Sequence, residues 1–415
     1  MMSPKNHKIR MTNDERSPNA QMTQTHGERL HDDSSFVIPS SLDIRHSSSP
    51  AGLIANAAKL ASLIQEIESA ERVAVDTEAD SLHSYREKLC LVQISVPVRV
   101  TDLGNSDAVR DYIVDPLCPV DLAPLRRVLE TREIVLHSAD YDLRMLRLGL
   151  NFVARRIFDT VIAARLLGFR EFSLAALLKR YFGLELPKGS QKANWAQRPL
   201  PVRMAEYAIN DVHYLLPLAE KLETELDRYG RRDWLRQSCE RAIEQAAITR
   251  VRDQDELWRI RGAGSLHGRA AAVLRSLWQW REGEAEMADR PPFHILHNED
   301  IVNAAISFVS GSVPHYKHFS PRRRQAFCEA AQTALQLPES EWPVSLRRFG
   351  TRPTSETVRR TEELRRRRDK SAQELGLEPS FIAPRSTLEA IAAERARAAA
   401  LLVAWQRELL GIQQS

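Results

Sequence analysis

Long apolar runs are missing from this sequence. No stretch approaches the roughly 18–20 apolar residues that a membrane-spanning helix needs, so a transmembrane helix is excluded. Cysteine is sparse: Cys90, Cys118, Cys239 and Cys328 lie far apart, with no CxxC or CxxH pair. That argues against a zinc ribbon and a disulfide framework and fits a reducing cytosol. No GxxxxGK[ST] phosphate loop occurs, which excludes a P-loop ATPase. No apolar h-region opens the chain, so no secretory signal peptide is read, and a cytoplasmic location is expected. A large charge excess is lacking too. The 59 basic and 55 acidic residues leave a net +4, which permits a polyanionic partner without demanding one. What is present is the composition of an ordinary soluble protein, 43% hydrophobic and 27% charged over 415 residues, long enough for several domains.

Residues 1–49 are rich in Ser, Asn, His and Asp and carry too little apolar surface to offset the entropy of ordering, so a disordered tail is expected. Met11 and Met22 are alternative start positions, a point for mass spectrometry of the native N-terminus. Folded sequence begins near Leu53, where apolar spacing predicts a helix over 53–67. Strands are predicted at 73–78 and 89–95, and a third is split between 98–103 and 112–114 by the turn-rich Gly104-Asn-Ser-Asp. Helices follow at 122–130, 142–148, 160–167, 174–181 and 204–229, with a short strand at 134–137. This order predicts a mixed α/β domain over 50–240. The remainder is helical, with an extended piece at 290–296, and forms two small units, 250–338 and 356–412. Trp280-Arg281 before Pro291-Pro-Phe-His-Ile-Leu is similar to Arg366-Arg367 before Pro379-Ser-Phe-Ile-Ala-Pro, which suggests an internal duplication.

Three segments carry acids in informative places. In Val73-Ala-Val-Asp-Thr-Glu78, Asp76 and Glu78 stand at i and i+2, on one face of a strand, between residues that favour burial. Buried carboxylates must be paired, protonated or metal-bound; the bland alternative is an acidic strand end. In His137-Ser-Ala-Asp-Tyr-Asp142 the acids follow an apolar strand, and Asp142 suits either a ligand or a helix cap. In Tyr207-Ala-Ile-Asn-Asp211 a phenol and a carboxylate share one helical face, as a ligand with a water-orienting group or as a core hydrogen bond. Hard oxygen donors of this kind suit two Mg²⁺ or Mn²⁺ ions about 3.5–4 Å apart, which clamp both oxygens of an in-line phosphodiester displacement.

Together the three segments resemble the exonuclease motifs of the DEDD superfamily, and the tyrosine four residues before the last aspartate resembles its DEDDy branch. Phe158-Asp-Thr and the stretch LPKGSQKANWAQRPL at 186–200 are similar to segments of the ribonuclease D family. The resemblance covers about 53–237. It implies a ribonuclease-H-like mixed sheet, metal ligation by Asp76, Glu78, Asp142 and Asp211, and water positioning by Tyr207. Leu257-Trp-Arg, Leu277-Trp-Gln-Trp-Arg-Glu and Arg290-Pro-Pro-Phe-His-Ile-Leu resemble an HRDC domain, and 356–412 resembles a second, divergent one. Two departures stand out: residues 101–110 read as an insertion before Tyr-Ile-Val-Asp-Pro, and the first HRDC-like unit loses its pattern after Ala305.

Candidates for substrate contact are Thr77 and His137 beside the acids, and Lys192, Trp195 and Arg198, where basic residues flank an aromatic as a single strand requires. The bland readings are a packed histidine and a loop anchored by its tryptophan. Arg322–Arg324 and Arg365–Arg368 are further phosphate candidates, or solvated helix faces. The resemblance implies a metal-dependent 3′→5′ exoribonuclease that acts on single-stranded 3′ ends of transfer RNA precursors and other small structured RNAs, as a monomer and away from membranes. A DNA exonuclease, a non-catalytic RNA-binding adaptor and a helicase-associated interaction module are the alternatives.

Overall fold

The structure is a computed structural model that describes residues 52–98, 109–186, 189, 191–248, 256–344 and 353–412. The predicted tail over 1–49 and residues 101–108 of the expected insertion lie outside the described residues.

The apolar run Leu89–Pro97 forms strand β3, buried at every position up to Val96. A strand buried on both faces must be covered on both, and this places it at the centre of a sheet. Its antiparallel neighbours are β2 (Arg72–Ala79) and β4 (Val109–Val114). Parallel strands extend the sheet on either side: β1 (Leu53–Ile54) beyond β4, then β5 (Glu133–Leu136) and β6 (Arg156–Asp159) beyond β2, in the order β1-β4-β3-β2-β5-β6. The helices are α1 (Ala57–Glu68), α2 (Ala123–Leu129), α3 (Asp140–Leu150), α4 (Thr160–Leu166), α5 (Leu174–Phe182), α6 (Val202–His213), α7 (Leu215–Arg228) and α8 (Arg232–Ala247). This is the expected mixed-sheet α/β architecture.

Several local expectations change. Leu53 and Ile54 pair with Ile113 and Val114 as a short strand, and the helix predicted from Leu53 starts only after Asn56, whose side chain caps it by accepting from the Lys59 amide at 3.0 Å. The single helix predicted over 204–229 breaks at Tyr214. Pro217 has no N–H to offer the His213 carbonyl and its ring crowds that carbonyl, so a new helix begins instead. The domain limit placed at residue 240 falls inside α8.

The rest is helical: α9 (Gly268–Met287), α10 (Pro292–Ile295), α11 (Asn298–Val309) and α12 (Pro321–Leu335), then α13 (Ser355–Leu375), α14 (Pro379–Ile382), α15 (Arg385–Ala393), α16 (Ala398–Leu401) and α17 (Ala404–Leu409). The segment expected to be extended at 290–296 thus holds a short helix, started by Pro292 at a position that needs no N–H. One apolar cluster includes Trp258, Leu277, Ile301 and Phe327, and another includes Leu388, Ile391 and Leu402. The two units repeat a structural device. Arg281 donates to the Leu296 carbonyl at 3.2 Å and Arg368 to the Ala383 carbonyl at 3.0 Å, each fifteen residues on. Each guanidinium also meets the acid that follows it, Glu282 or Asp369. Matching the two segments by this device aligns Arg281 with Arg368, one residue away from the register read in the sequence. Among the described residues no helix is long and apolar enough to cross a membrane.

Candidate metal centre

Alternation along β2 sends Asp76 and Glu78 to one face, opposite Gln93 and Leu91 of β3. Helix α6 covers that face: Met204, Ala205, Ala208 and Ile209 pack with Leu91, Ile113 and Trp195. One turn apart on the same helix, Tyr207 and Asp211 come with them. Carboxylate oxygens of Asp76, Glu78 and Asp211 lie within 4.8 Å of one another.

Asp142 arrives from the other side. Strand β5 pairs with β2 only over Arg72–Ala74, so β2 is open beyond Val75, and the turn after β5 delivers the start of α3 there. Ser138 adopts a left-handed φ of 68° in that turn. The Asp159 carboxylate holds it, accepting from the amides of Ser138 at 3.2 Å and Ala139 at 2.8 Å while also capping α4. The Thr77 hydroxyl then donates to Asp142 Oδ1 at 2.6 Å. All four acids thus meet electrostatically, and the two partly exposed residues of β2 face a carboxylate that is 5% exposed.

Burial raises all four carboxyls, and neighbouring negative charge adds to it most at Asp76 and Glu78. Burial first, then the charges of Asp142, Asp211 and Glu78, holds the Asp76 carboxyl well above its ordinary range. Burial, Asp211 and Asp142 push Glu78 up to about 9. Burial raises Asp142 to about 7 against the opposing hydrogen bond from Thr77, and raises Asp211 to about 6 against one from Tyr207. The Tyr207 phenol is raised by burial, by the Asp211 charge and by its hydrogen bond to Asp211, while a hydrogen bond with Gln191 works the other way. Four such carboxyls cannot all ionise near neutral pH unless positive charge sits among them. The converging donors among the described residues are carboxylates alone, a hard-oxygen set of the kind that takes Mg²⁺, Mn²⁺ or Ca²⁺.

The other predicted contacts are placed differently. Trp195 is 1% exposed and packs 6.1 Å from the Tyr207 ring, so it has no face free for a base: it anchors the segment, which corrects the stacking expectation. Arg198 is a second correction. Its guanidinium grips the buried Asp115 at 2.6 and 2.7 Å and donates to the carbonyls of Cys90, Trp195 and Gln197, so it is spent on this chain instead of on phosphate. His137 is packed, with Nδ1 2.8 Å from the Thr160 hydroxyl and its pKa lowered by burial. Lys192 is exposed, and its carbonyl meets His83 Nε2 at 3.1 Å, which ties the β2–β3 loop to the 191–200 segment. Asp159 and Asp115 escaped the sequence reading as site-shaping residues. An Asp directly before a helix-forming run is a capping signal that would have found the first; the second declares itself only through its arginine.

Residues 53–227 match the family model described as 3′-5′ exonuclease, and residues 270–307 match that of the HRDC domain. The ribonuclease D of Xanthomonas oryzae is 29% identical over 352 residues, 82% of this chain and 92% of that protein. Those of Sphingobium indicum and Zymomonas mobilis are 33% and 34% identical over 61% of this chain. The chain is thus similar to ribonuclease D proteins. It spans 63% of the length of the last two relatives. Two solved structures share the fold: a protein from Bifidobacterium adolescentis (TM-score 0.68, 24% identity, 86% of this chain and 94% of that one) and Escherichia coli RNase D (TM-score 0.63, 22% identity, 86% and 96%). The exonuclease fold that residues 53–227 match implies divalent cations, and the acidic cluster of this chain, similar to ribonuclease D proteins, fits them.

Proposed function

We propose that this chain is a 3′→5′ exoribonuclease that releases 5′-mononucleotides from single-stranded RNA ends, with two Mg²⁺ or Mn²⁺ ions held by Asp76, Glu78, Asp142 and Asp211. The observation that carries the reading is the convergence of Asp76, Glu78 and Asp211 within 4.8 Å, with Asp142 in the same electrostatic cluster. Bound cations supply Lewis acidity toward water and offset negative charge at the scissile phosphate. The carboxyls must lose their retained protons to accept them, so cation binding and ionisation of Glu78 and Asp142 are coupled. Thr77 orients Asp142 through its hydroxyl. Tyr207, held by Asp211 and keeping its proton, suits orienting the attacking water more than accepting a proton from it.

The relatives named ribonuclease D support RNA over DNA, and the Escherichia coli enzyme, an exoribonuclease involved in structured RNA processing, supports structured RNAs; we extend the reading to transfer RNA precursors and other small structured RNAs. We further assign residues 250–338 and 356–412 as two HRDC-like units that hold the RNA, in a monomer acting in the cytoplasm. A time course on labelled RNA and DNA strands of one sequence, with Mg²⁺, Mn²⁺ or EDTA, tests the activity. Mononucleotide release from RNA that stops in EDTA is expected, and Asp142→Asn should abolish it while the circular dichroism spectrum stays unchanged. Near-normal turnover by that folded variant would sink the reading, and faster loss of the DNA strand would turn it toward a DNA exonuclease.

A further inference from the structure

Behind the acids lies a residue with no visible structural use for its chemistry. Gln93 is fully buried on β3, and among the described residues neither its amide nitrogen nor its amide oxygen has a hydrogen-bond partner. A buried amide in that state costs folding free energy, and an apolar residue of the same size would serve packing better. Its place is specific. Gln93 is the antiparallel partner of Asp76, and cross-strand partners project from one face with Cβ atoms about 4.5–5.5 Å apart. Glutamine is one methylene longer than aspartate, so its carboxamide is long enough to reach the Asp76 carboxylate from that register.

Other neighbours on that face offer it nothing. Ile113, its partner on β4, is apolar. Ser95, the next residue of β3 on the same face, donates its hydroxyl to Asp111, which also takes His213 Nδ1 at 2.6 Å. Helix α6 contributes Ala205, Ala208 and Ile209 to the apolar packing above. Of the neighbours that the strand register sets beside it among the described residues, Asp76 is the one whose polar side chain has no side-chain partner in the sheet.

We infer that Gln93 is a positioning residue for the metal centre, whose carboxamide N–H donates to the Asp76 carboxylate in the cation-loaded site and sets that ligand's orientation from within the sheet. This rests on the nuclease reading above. A neutral donor suits this role because it satisfies a lone pair on the ionised ligand without bringing a positive charge to compete with the cations, as a lysine or arginine would. A buried hydrogen bond behind a ligand characteristically tunes metal affinity.

The test is Mn²⁺ binding to the full chain without RNA, read by electron paramagnetic resonance of the free ion, alongside thermal unfolding in EDTA. Gln93→Met removes the amide and keeps length and bulk. It should melt at or above the wild-type temperature in EDTA yet bind Mn²⁺ about 10-fold more weakly or worse, with nuclease activity recovering as Mn²⁺ is raised. Gln93→Asn, which keeps the amide but withdraws it, should fall between the two and carries the test if the methionine variant does not fold. Wild-type Mn²⁺ affinity in a folded variant overturns the inference and leaves the nuclease reading intact. Failure of the wild-type chain itself to bind Mn²⁺ or degrade RNA overturns both.

Discussion

At the scale of single residues, the acids of the centre work against the fold that holds them. Their pKa values are raised on folding, so the folded chain holds protons that the unfolded chain has released. The stability this contributes is fully present below the unfolded carboxylate range, near pH 4, and is lost as pH rises through about 6 for Asp211, about 7 for Asp142 and about 9 for Glu78. In EDTA the melting temperature should therefore fall between pH 5 and pH 9 by more in the wild-type chain than in Glu78→Gln, and saturating Mg²⁺ should restore it at pH 8. Parallel melting curves for the two proteins across that range would show that Glu78 is not under the strain described. The same crowding explains why the acids alone were ambiguous in the sequence: one Asp-Thr-Glu is common, and its meaning depends on which other charges reach it.

At the scale of elements, the segment after α5 is a brace for Tyr207. Trp195 fills the cluster beneath α6, Arg198 ties the segment to Asp115 beyond β4, and Gly189 lies so close to the tyrosine that an added Cβ would stand 1.8 Å from a ring carbon. Gly189→Ala must move either the segment or the phenol. We expect it to resemble Tyr207→Phe: kcat lower by about 10-fold or more, the range for losing a positioned proton-handling group, with RNA affinity in Ca²⁺ nearly unchanged. Equal losses of turnover and affinity in both variants would mean that the hydroxyl and its neighbour serve the fold or the RNA instead.

For the whole molecule, the two helical units are attached by different physics. The second shares its core with the exonuclease domain: Trp405 of α17 is 1% exposed, stacks 4.9 Å from Trp234 of α8 and donates to the Ser238 hydroxyl. Arg231, also buried, bridges the carbonyls of Leu166 and Leu375. The first unit meets the same domain through exposed ion pairs, Arg86 with Glu286 and Lys88 with Asp289, both from the β2–β3 loop that reaches the 191–200 segment. Trp405→Ala should thus cost about 3–5 kcal/mol in denaturant unfolding, as for other large-to-small changes of a buried tryptophan, and lower the stability of the nuclease domain with it. Asp289→Ala should leave the melting temperature where it is, since exposed pairs contribute little. A wild-type unfolding curve for Trp405→Ala would show that the second unit is tethered without being fused to the core.

What could be read locally was read correctly because it is encoded locally. Alternation in Val73-Ala-Val-Asp-Thr-Glu specifies a strand with both acids on one face, and the i,i+4 spacing of Tyr207 and Asp211 puts both on one side of a helix. The mixed α/β class followed from the order of such segments. Other features had no local signature. A two-residue strand such as Leu53–Ile54 has no period to detect, and its parallel pairing with β4 is a long-range event. Trp195 and Arg198 have the residue types of a nucleic-acid contact, and only the arrival of Asp115 and the underside of α6 turned them inward. By itself the sequence determined which residue types and which faces were available. The tertiary structure decided which charges share a low-dielectric space, because that depends on distances between segments more than sixty residues apart, and it is there that four ordinary acids become a candidate metal centre.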